Sequence, residues 1–305
     1  MSFLFQKEIN GWDSWGSLFC DREAFARLSE VIFEKERVGA PGSLLALTPG
    51  TNAVFRVKDY VLKIYAPMES GIGTDDYPIE LKAQQSAQKN RVRVPAIIAH
   101  GAIQDRYLFQ YLIMEYIDGK EAKELLPSFS KAQKIDFAQK LRLLLEKLHK
   151  PNGTVLPAID VIGRAVNNPR LRKLPFCLAE DMKARALSTR MENGVLAHGD
   201  ITKENVLICP DGSLALIDFA DSVFAPPFYE LAPVAFDLFQ FDRDLIRAFI
   251  GNHPMEKWLG SLMDSLSIHD FGADIILEYT RGKQIEVERF HNLDAFKCHI
   301  LQRTS

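Results

Sequence analysis

Two carboxylates and a carboxamide stand at the ends of short apolar runs in LAHGDITKENVLICPDGSLALIDFADS, residues 196–222. Asp200 follows the first run, Asn205 comes five residues later, and Asp218 closes the run LALI. A carboxylate at the start of such a loop can orient a hydroxyl and take its proton. A carboxamide oxygen five residues on can curl back to a magnesium ion, and Asp218 adds a full negative charge to the same ion. Magnesium takes hard oxygen donors and fills its remaining positions with water and phosphate oxygens. The spacing H-x-D-x-x-x-x-N, followed by a hairpin and an apolar run ending in Asp, is a phosphoryl-transfer pattern. Taken singly, each of these residues would read as a cap or turn residue.

Other elements must position these groups. The tight turn CPDG folds the two strand ends together. Upstream, DREAFARLSEVIFEKERVG has apolar residues at helical spacing and stops at Gly39. AVFRV and YVLKIY alternate as strands around a turn at Lys58-Asp59. YPIELKAQQSAQKNR is rich in helix formers, and AIIAHGAIQDRYLFQYLIMEYI reads as two strands joined at Gln104-Asp105-Arg106. Ser130 and Gln133 form a capping box, and Ile135, Ala138, Leu141, Leu145 and Leu148 make one helical stripe. FCLAEDMKARALSTRMENG predicts a helix ending at Gly194, and the chain from about Glu230 is mostly helical. The expected class is therefore α+β. Residues 1–118 form a β-rich lobe with a helical extension over 1–40, and 119–305 form a helical lobe. A short linker near Asp118 would leave a ligand cleft between the lobes.

Composition narrows the classes. The 305 residues carry a net charge of -3 and a pI near 6.2, without the basic face of a nucleic-acid binder. Four cysteines lie far apart with no CxxC pair, so free thiols in a reducing cytoplasm are expected. MSFLFQKEIN lacks the charged start and long apolar stretch of a signal peptide. The most apolar long segment, VFAPPFYELAPVAFDLFQF, is broken by prolines and acids, so no membrane partner is expected.

AHGDITKENVLI…LALIDFADS resembles the aminoglycoside phosphotransferase and choline kinase family, small-molecule kinases with a protein-kinase-like bilobal fold. The resemblance runs from about residue 44 to 240. LTPGTNAVFRVKDYVLKIY is similar to that family's nucleotide loop and lysine strand, YLIMEYIDGKEA to its hinge, and LRLLLEKLHK to the helix behind its catalytic loop. It implies ATP and Mg2+ as cofactors and a small-molecule hydroxyl as acceptor. It also implies roles for individual residues. Asp200 orients and deprotonates the acceptor, and Asn205 and Asp218 hold the metal. Lys63 pairs with the α- and β-phosphates, and Glu80 either fixes Lys63 or is an exposed helix glutamate. Gly50, Thr51 and Asn52 cover the phosphates. Glu115 and Ile117 offer backbone groups to adenine, with Met114 behind them.

His198 reads as a buried histidine that holds the loop, Gly199 as a close backbone turn, and Asp221 as a solvated loop aspartate. Lys203 is either a phosphate ligand or a surface lysine. FYELAP puts Glu230 where the family has the Asp of D-L-A, which leaves its bracing role open. The metal strand reads D-F-A and no A-P-E motif follows, which disfavours the alternative of a protein serine/threonine kinase. A non-catalytic nucleotide-binding module would have lost these residues, yet all are present. The acceptor stays open among aminoglycoside, amino-alcohol and sugar. Asp237, Asp242 and Asp244 form either an acidic wall for a cationic acceptor or a solvated helix face.

Overall fold

The computed structural model describes residues 3–48, 50–191 and 194–304. The chain divides into two compact units, residues 1–85 with 94–118, and residues 86–93 with 119–305.

The first unit is built on an antiparallel sheet. Its strands are β1 (Leu45–Ala46), β2 (Ala53–Val57), β3 (Tyr60–Ile64), β4 (Ile97–Gln104) and β5 (Leu108–Glu115), in the order β1-β2-β3-β5-β4. Lys58 takes a left-handed φ of 58° in the turn between β2 and β3, as a two-residue hairpin requires. Alternation along β3 sorts side chains by face. Leu62 and Ile64 join Phe55, Phe109 and Tyr111 in a core completed by Phe5, Trp15, Phe25 and Phe33. The last three come from helices α1 (Trp12–Leu18) and α2 (Arg22–Glu36). The helical extension is therefore half of this core. Asp21 caps α2 by accepting from the N–H groups of Glu23 and Ala24.

The opposite face of β3 carries Val61, Lys63 and Tyr65. Tyr65 packs with Leu112, Met114, Tyr77 and Leu81. Tyr77 and Leu81 belong to α3 (Asp76–Lys89), whose buried face also includes Ile79, Ala83 and Ala87. The last residues of α3 fall in the second unit.

In that unit the strands are short. β6 (Lys120–Glu121), β8 (Val206–Ile208) and β9 (Leu214–Leu216) form one sheet, and β7 (Val195–Ala197) pairs with β10 (Val223–Ala225). All the pairings are antiparallel. Gly212, at φ 73°, closes the Cys209–Gly212 turn between β8 and β9, which align Val206 with Leu216. Around them lie α4 (Ala122–Leu125), α5 (Lys131–Leu148), α6 (Val161–Val166) and α7 (Phe176–Ser188). Helix α8 (Leu231–Pro233) continues as a π-helical turn over Val234–Leu238. It is followed by α9 (Arg243–Ile250), α10 (Met255–Ile268), α11 (Gly272–Gly282) and α12 (Leu293–Thr304). Both arms of the Ser130–Gln133 capping box are made, and α5 buries Ala138, Leu141, Leu145 and Leu148.

Helix α7 departs from expectation by stopping at Ser188 rather than running to Gly194. Thr189 is extended, and the hydroxyls of Ser188 and Thr189 both donate to the Arg185 carbonyl, 2.7 and 3.1 Å away. Side chains thus satisfy a carbonyl that further helix would have used. Glu192 and Asn193 of the expected helix lie outside the described residues.

Candidate active site

In the β-rich unit the candidate residues gather around Lys63. Its ammonium lies 2.7 Å from Glu80 Oε2, and the Tyr65 hydroxyl donates to the same oxygen at 2.6 Å. Lys63 is 4% exposed and Glu80 1%. The lysine faces α3 because β3 alternates, and Glu80 sits on the buried stripe of that helix. Two charges taken out of water cost several kcal/mol each before their attraction is counted. Such a pair makes physical sense where the lysine must be held in one orientation.

The loop before β2 is tied down at one end. Asn52, 3% exposed, donates to Asp76 Oδ2 at 3.3 Å and Thr51 Oγ at 3.2 Å, and its Oδ1 accepts from the Ala66 N–H at 3.1 Å. Gly50 and Thr51 remain exposed. The Thr51 carbonyl accepts from the indole N–H of Trp15 at 2.8 Å, a contact that sequence reasoning missed. Along the strand end, the Glu115 N–H donates to the Ala96 carbonyl at 2.8 Å, so that amide is already used. Met114 and Ile117 are buried, 5% and 6% exposed.

In the helical unit, the loop between β7 and β8 carries Asp200 and Asn205. Asn205 Nδ2 donates to Asp200 Oδ2 at 2.7 Å and to the Asp200 carbonyl at 3.0 Å, so the carboxamide fixes the carboxylate. The Ile217 N–H donates to the Asn205 carbonyl at 3.1 Å, which ties this loop to the strand leading into Asp218. Asp218 itself takes a left-handed φ of 63°, a conformation that Asp tolerates better than most residues.

The start of the loop is clamped from several sides. His198 is fully buried. Its Nδ1 accepts from the Asp200 N–H at 3.2 Å, which leaves Nε2 to donate to the Ile217 carbonyl at 3.0 Å. Its ring packs on Phe219 with centroids 4.4 Å apart. Glu230, 1% exposed, accepts from the N–H groups of His198 at 2.5 Å and Gly199 at 3.2 Å. Burial pushes the Glu230 carboxyl up, but hydrogen bonding and charge from His149, then His198, outweigh this and lower it. The longer side chain in place of Asp therefore does brace the loop. Sequence reasoning missed His269, whose Nε2 donates to the Gly199 carbonyl at 3.0 Å while Nδ1 accepts from Phe271 N–H at 3.1 Å. Burial lowers its pKa, which suits that neutral tautomer. Gly199 is required, since at φ 86° an added Cβ would lie 2.1 Å from the Asp221 carbonyl oxygen.

The acidic wall is not formed. Asp237, on the π-helical turn, accepts from the Lys203 N–H at 2.8 Å and its ammonium at 3.0 Å. Asp242 caps α9 and pairs with Lys134 at 2.5 Å, and Asp244 pairs with Lys131 at 3.4 Å. Lys203 is accordingly a partner of Asp237 rather than a free surface lysine. Asp221 is exposed.

The electrostatics around Asp200 are severe. Burial, then the negative charges of Asp221, Asp218 and Asp237, push its carboxyl from 3.8 up to about 8, against the lowering effect of the Asn205 hydrogen bond. A cation is the natural complement to such a field. The donors are carboxylate and carboxamide oxygens, which suit magnesium. Among the described residues no three His, Cys, Asp or Glu side chains gather to hold a metal unaided.

Residues 47–258 match the model of the phosphotransferase enzyme family, APH, and the chain belongs to that family. It is a phosphotransferase of the small-molecule kinase class. Its fold is similar to the GDP complex of wild-type aminoglycoside 2'-phosphotransferase-IIIa, with TM-score 0.61 and 15% identity over 92% of this chain and 97% of that one. It is also similar to the streptomycin-ATP complex of APH(2")-IIa, with TM-score 0.52 and 17% identity over 87% and 98%. Choline kinase LicA from Streptococcus pneumoniae aligns with TM-score 0.52 and 14% identity over 89% and 96%. No curated protein matches the sequence. Among the described residues, no helix is long and apolar enough to cross a membrane.

Proposed function

We propose that the protein transfers the γ-phosphate of ATP to a hydroxyl of a small molecule, with Mg2+ bound, in the cytoplasm. The observations that carry this reading are, each within its own unit, a half-buried Asp200 locked by Asn205 and a buried Lys63–Glu80 pair. Lys63 neutralises the α- and β-phosphates, and Glu80 and Tyr65 keep its ammonium in place. Gly50 and Thr51 lie over the phosphates, with Asn52 anchoring their loop. Adenine takes the backbone beside Glu115 and Ile117. Asn205 and Asp218 would hold magnesium, which supplies charge neutralisation at the phosphates.

Asp200 accepts the hydroxyl proton as the acceptor oxygen bonds to the γ-phosphorus. The bond from that phosphorus to the β–γ bridging oxygen breaks, and its electron pair leaves on ADP. Ionised Asp200 is the form that does this, so neighbouring positive charge serves the reaction as well as the nucleotide. The loop clamps at Gly199 keep the carboxylate within reach of the hydroxyl, where misplacement of about 1 Å can cost about a hundredfold.

The test is label transfer. Phosphate from γ-labelled ATP should reach hydroxyl acceptors only with magnesium, and label from α-labelled ATP should not. Incorporation of the α label would replace this reading with nucleotidyl transfer.

A further inference from the structure

The charges around the acceptor cavity differ from those a polycationic acceptor needs. A cavity of about 460 Å³ opens beside Asp200 within the helical unit. Two of its acids are already compensated. Asp237 is held by Lys203. Asp274 is shared by Arg170 Nε and Lys173 Nζ, each at 2.7 Å. One carboxylate between two cations leaves a full positive charge on that wall. Arg281, from the packed neighbour α11, adds a second, and among the described residues it makes no ion pair. Glu278, one turn earlier on α11, is the remaining acid of the wall. Asp200, Thr202 and His269 also line the cavity, together with the apolar Pro233, Phe271, Ile275 and Leu277.

An acceptor with several ammonium groups would set like charges against Lys173 and Arg281 on this wall, with Glu278 beside them and Asp200 elsewhere in the lining to offset them. Like-charge juxtaposition selects against a ligand more strongly than a missing contact does. A small acceptor with one negative group meets the opposite situation. Arg281 presents a planar fork suited to carboxylate or phosphate, and Lys173 a point charge beside it.

Resting on the phosphotransfer reading, we propose that the acceptor is a hydroxylated small molecule with one anionic group, carboxylate or phosphate, seated on Arg281 and Lys173. Its carbon skeleton lies on Phe271 and Ile275 and its hydroxyl at Asp200. Glu278 accommodates a single ammonium beside these cations, so hydroxylated amino acids belong to the class and aminoglycosides, whose further ammonium groups would face Arg281 and Lys173, do not.

The experiment measures magnesium-dependent ADP release from ATP with a panel of hydroxy acids, hydroxylated amino acids, sugar monophosphates, choline and kanamycin. Comparing the hydroxy acids with the sugar monophosphates separates carboxylate from phosphate. Activity is expected only with members that bear an anionic group. Arg281→Glu should lower kcat/KM for them by about tenfold or more, the effect of reversing one charge at a ligand contact. Arg172→Ala, on the short turn Pro169–Lys173 next to Lys173 but lining a different cavity, should change nothing. The absence of every anionic compound from the active set overturns the proposal, as does turnover of kanamycin or choline that Arg281→Glu leaves intact or improves. Magnesium-ATP binding, followed by calorimetry on the wild-type protein, reports separately on the phosphotransfer reading. If ATP binds and no anionic acceptor works, the acceptor assignment alone has failed.

Discussion

Replacing Asp200 by Asn should make the protein more stable and nearly inactive, with a stability gain that grows with pH. The carboxyl is pushed from 3.8 to about 8 by burial and by Asp221, Asp218 and Asp237. An acid whose folded pKa is raised keeps its proton in the folded state where the unfolded chain has already lost it. Stability therefore falls as pH rises from the unfolded value to the folded one, and is level above that. At about 1.4 kcal/mol per unit, the ceiling on the cost at pH 8.5 is about 6 kcal/mol, against about 2 at pH 5.5. Relaxation and water entry remove much of this, so a realised gain of about 1–3 kcal/mol at pH 8.5 is expected for Asp200→Asn. That corresponds to a rise of about 2–6 °C in Tm.

The amide keeps an oxygen to accept the Asn205 bond, so the loop geometry survives. Turnover should fall by about two to four orders of magnitude through loss of the base. The assay is thermal unfolding of both proteins in chelator at pH 5.5 and 8.5, with steady-state kinetics alongside. A variant less stable than wild type at pH 8.5, or a difference independent of pH, would refute the electrostatic argument. Near-normal turnover would refute the role as base.

Four further outcomes test the supporting residues. Lys63→Ala should raise the KM for ATP by about tenfold or more through loss of a phosphate cation. Lys58→Ala, in the exposed turn before the same strand, should leave it within about twofold; equal behaviour of the two would misplace the lysine strand. Glu80→Gln, which removes one buried counter-charge from Lys63, should destabilise by about 3 kcal/mol in denaturant titration. Trp15→Phe keeps the ring but removes the donor to the Thr51 carbonyl, so a rise in KM for ATP of about three- to tenfold is expected with kcat little changed; an unaltered KM would make Trp15 a core residue only. Gly199→Ala drives a Cβ into the Asp221 carbonyl, a backbone atom that cannot rotate away, so both Tm and turnover should fall. An active, stable Gly199→Ala protein would show that the turn has room the geometry denies.

The parts of this site that could be read from sequence are those carried by local periodicity and fixed spacing. Asp200, Asn205 and Asp218 sit on one short loop and one hairpin, so a few residues of local sequence bring the first two together. Lys63 and Glu80 are seventeen residues apart, and their contact needs the face of β3 and the buried stripe of α3 to coincide. The sequence pattern gives each face separately, and the pairing belongs to the tertiary fold. His269 lies 70 residues from the Gly199 carbonyl it holds, at the end of an ordinary amphipathic helix, with no local signal to mark it.

Trp15 likewise looked like one apolar residue of a helical extension, while its indole N–H reaches a loop 36 residues away. The acidic wall failed for a related reason. Sequence shows the charges of Asp237, Asp242 and Asp244, but their partners Lys203, Lys134 and Lys131 come from distant segments. A carboxylate's value to a ligand depends on what charge remains after its neighbours are counted. That remainder, positive at Lys173 and Arg281 and large and negative only around Asp200, is set by packing. The same packing makes the Lys173–Arg281 wall of the cavity electrostatically unlike the surroundings of Asp200, and the acceptor proposed above, with an anionic end and a free hydroxyl, is a molecule that would meet both.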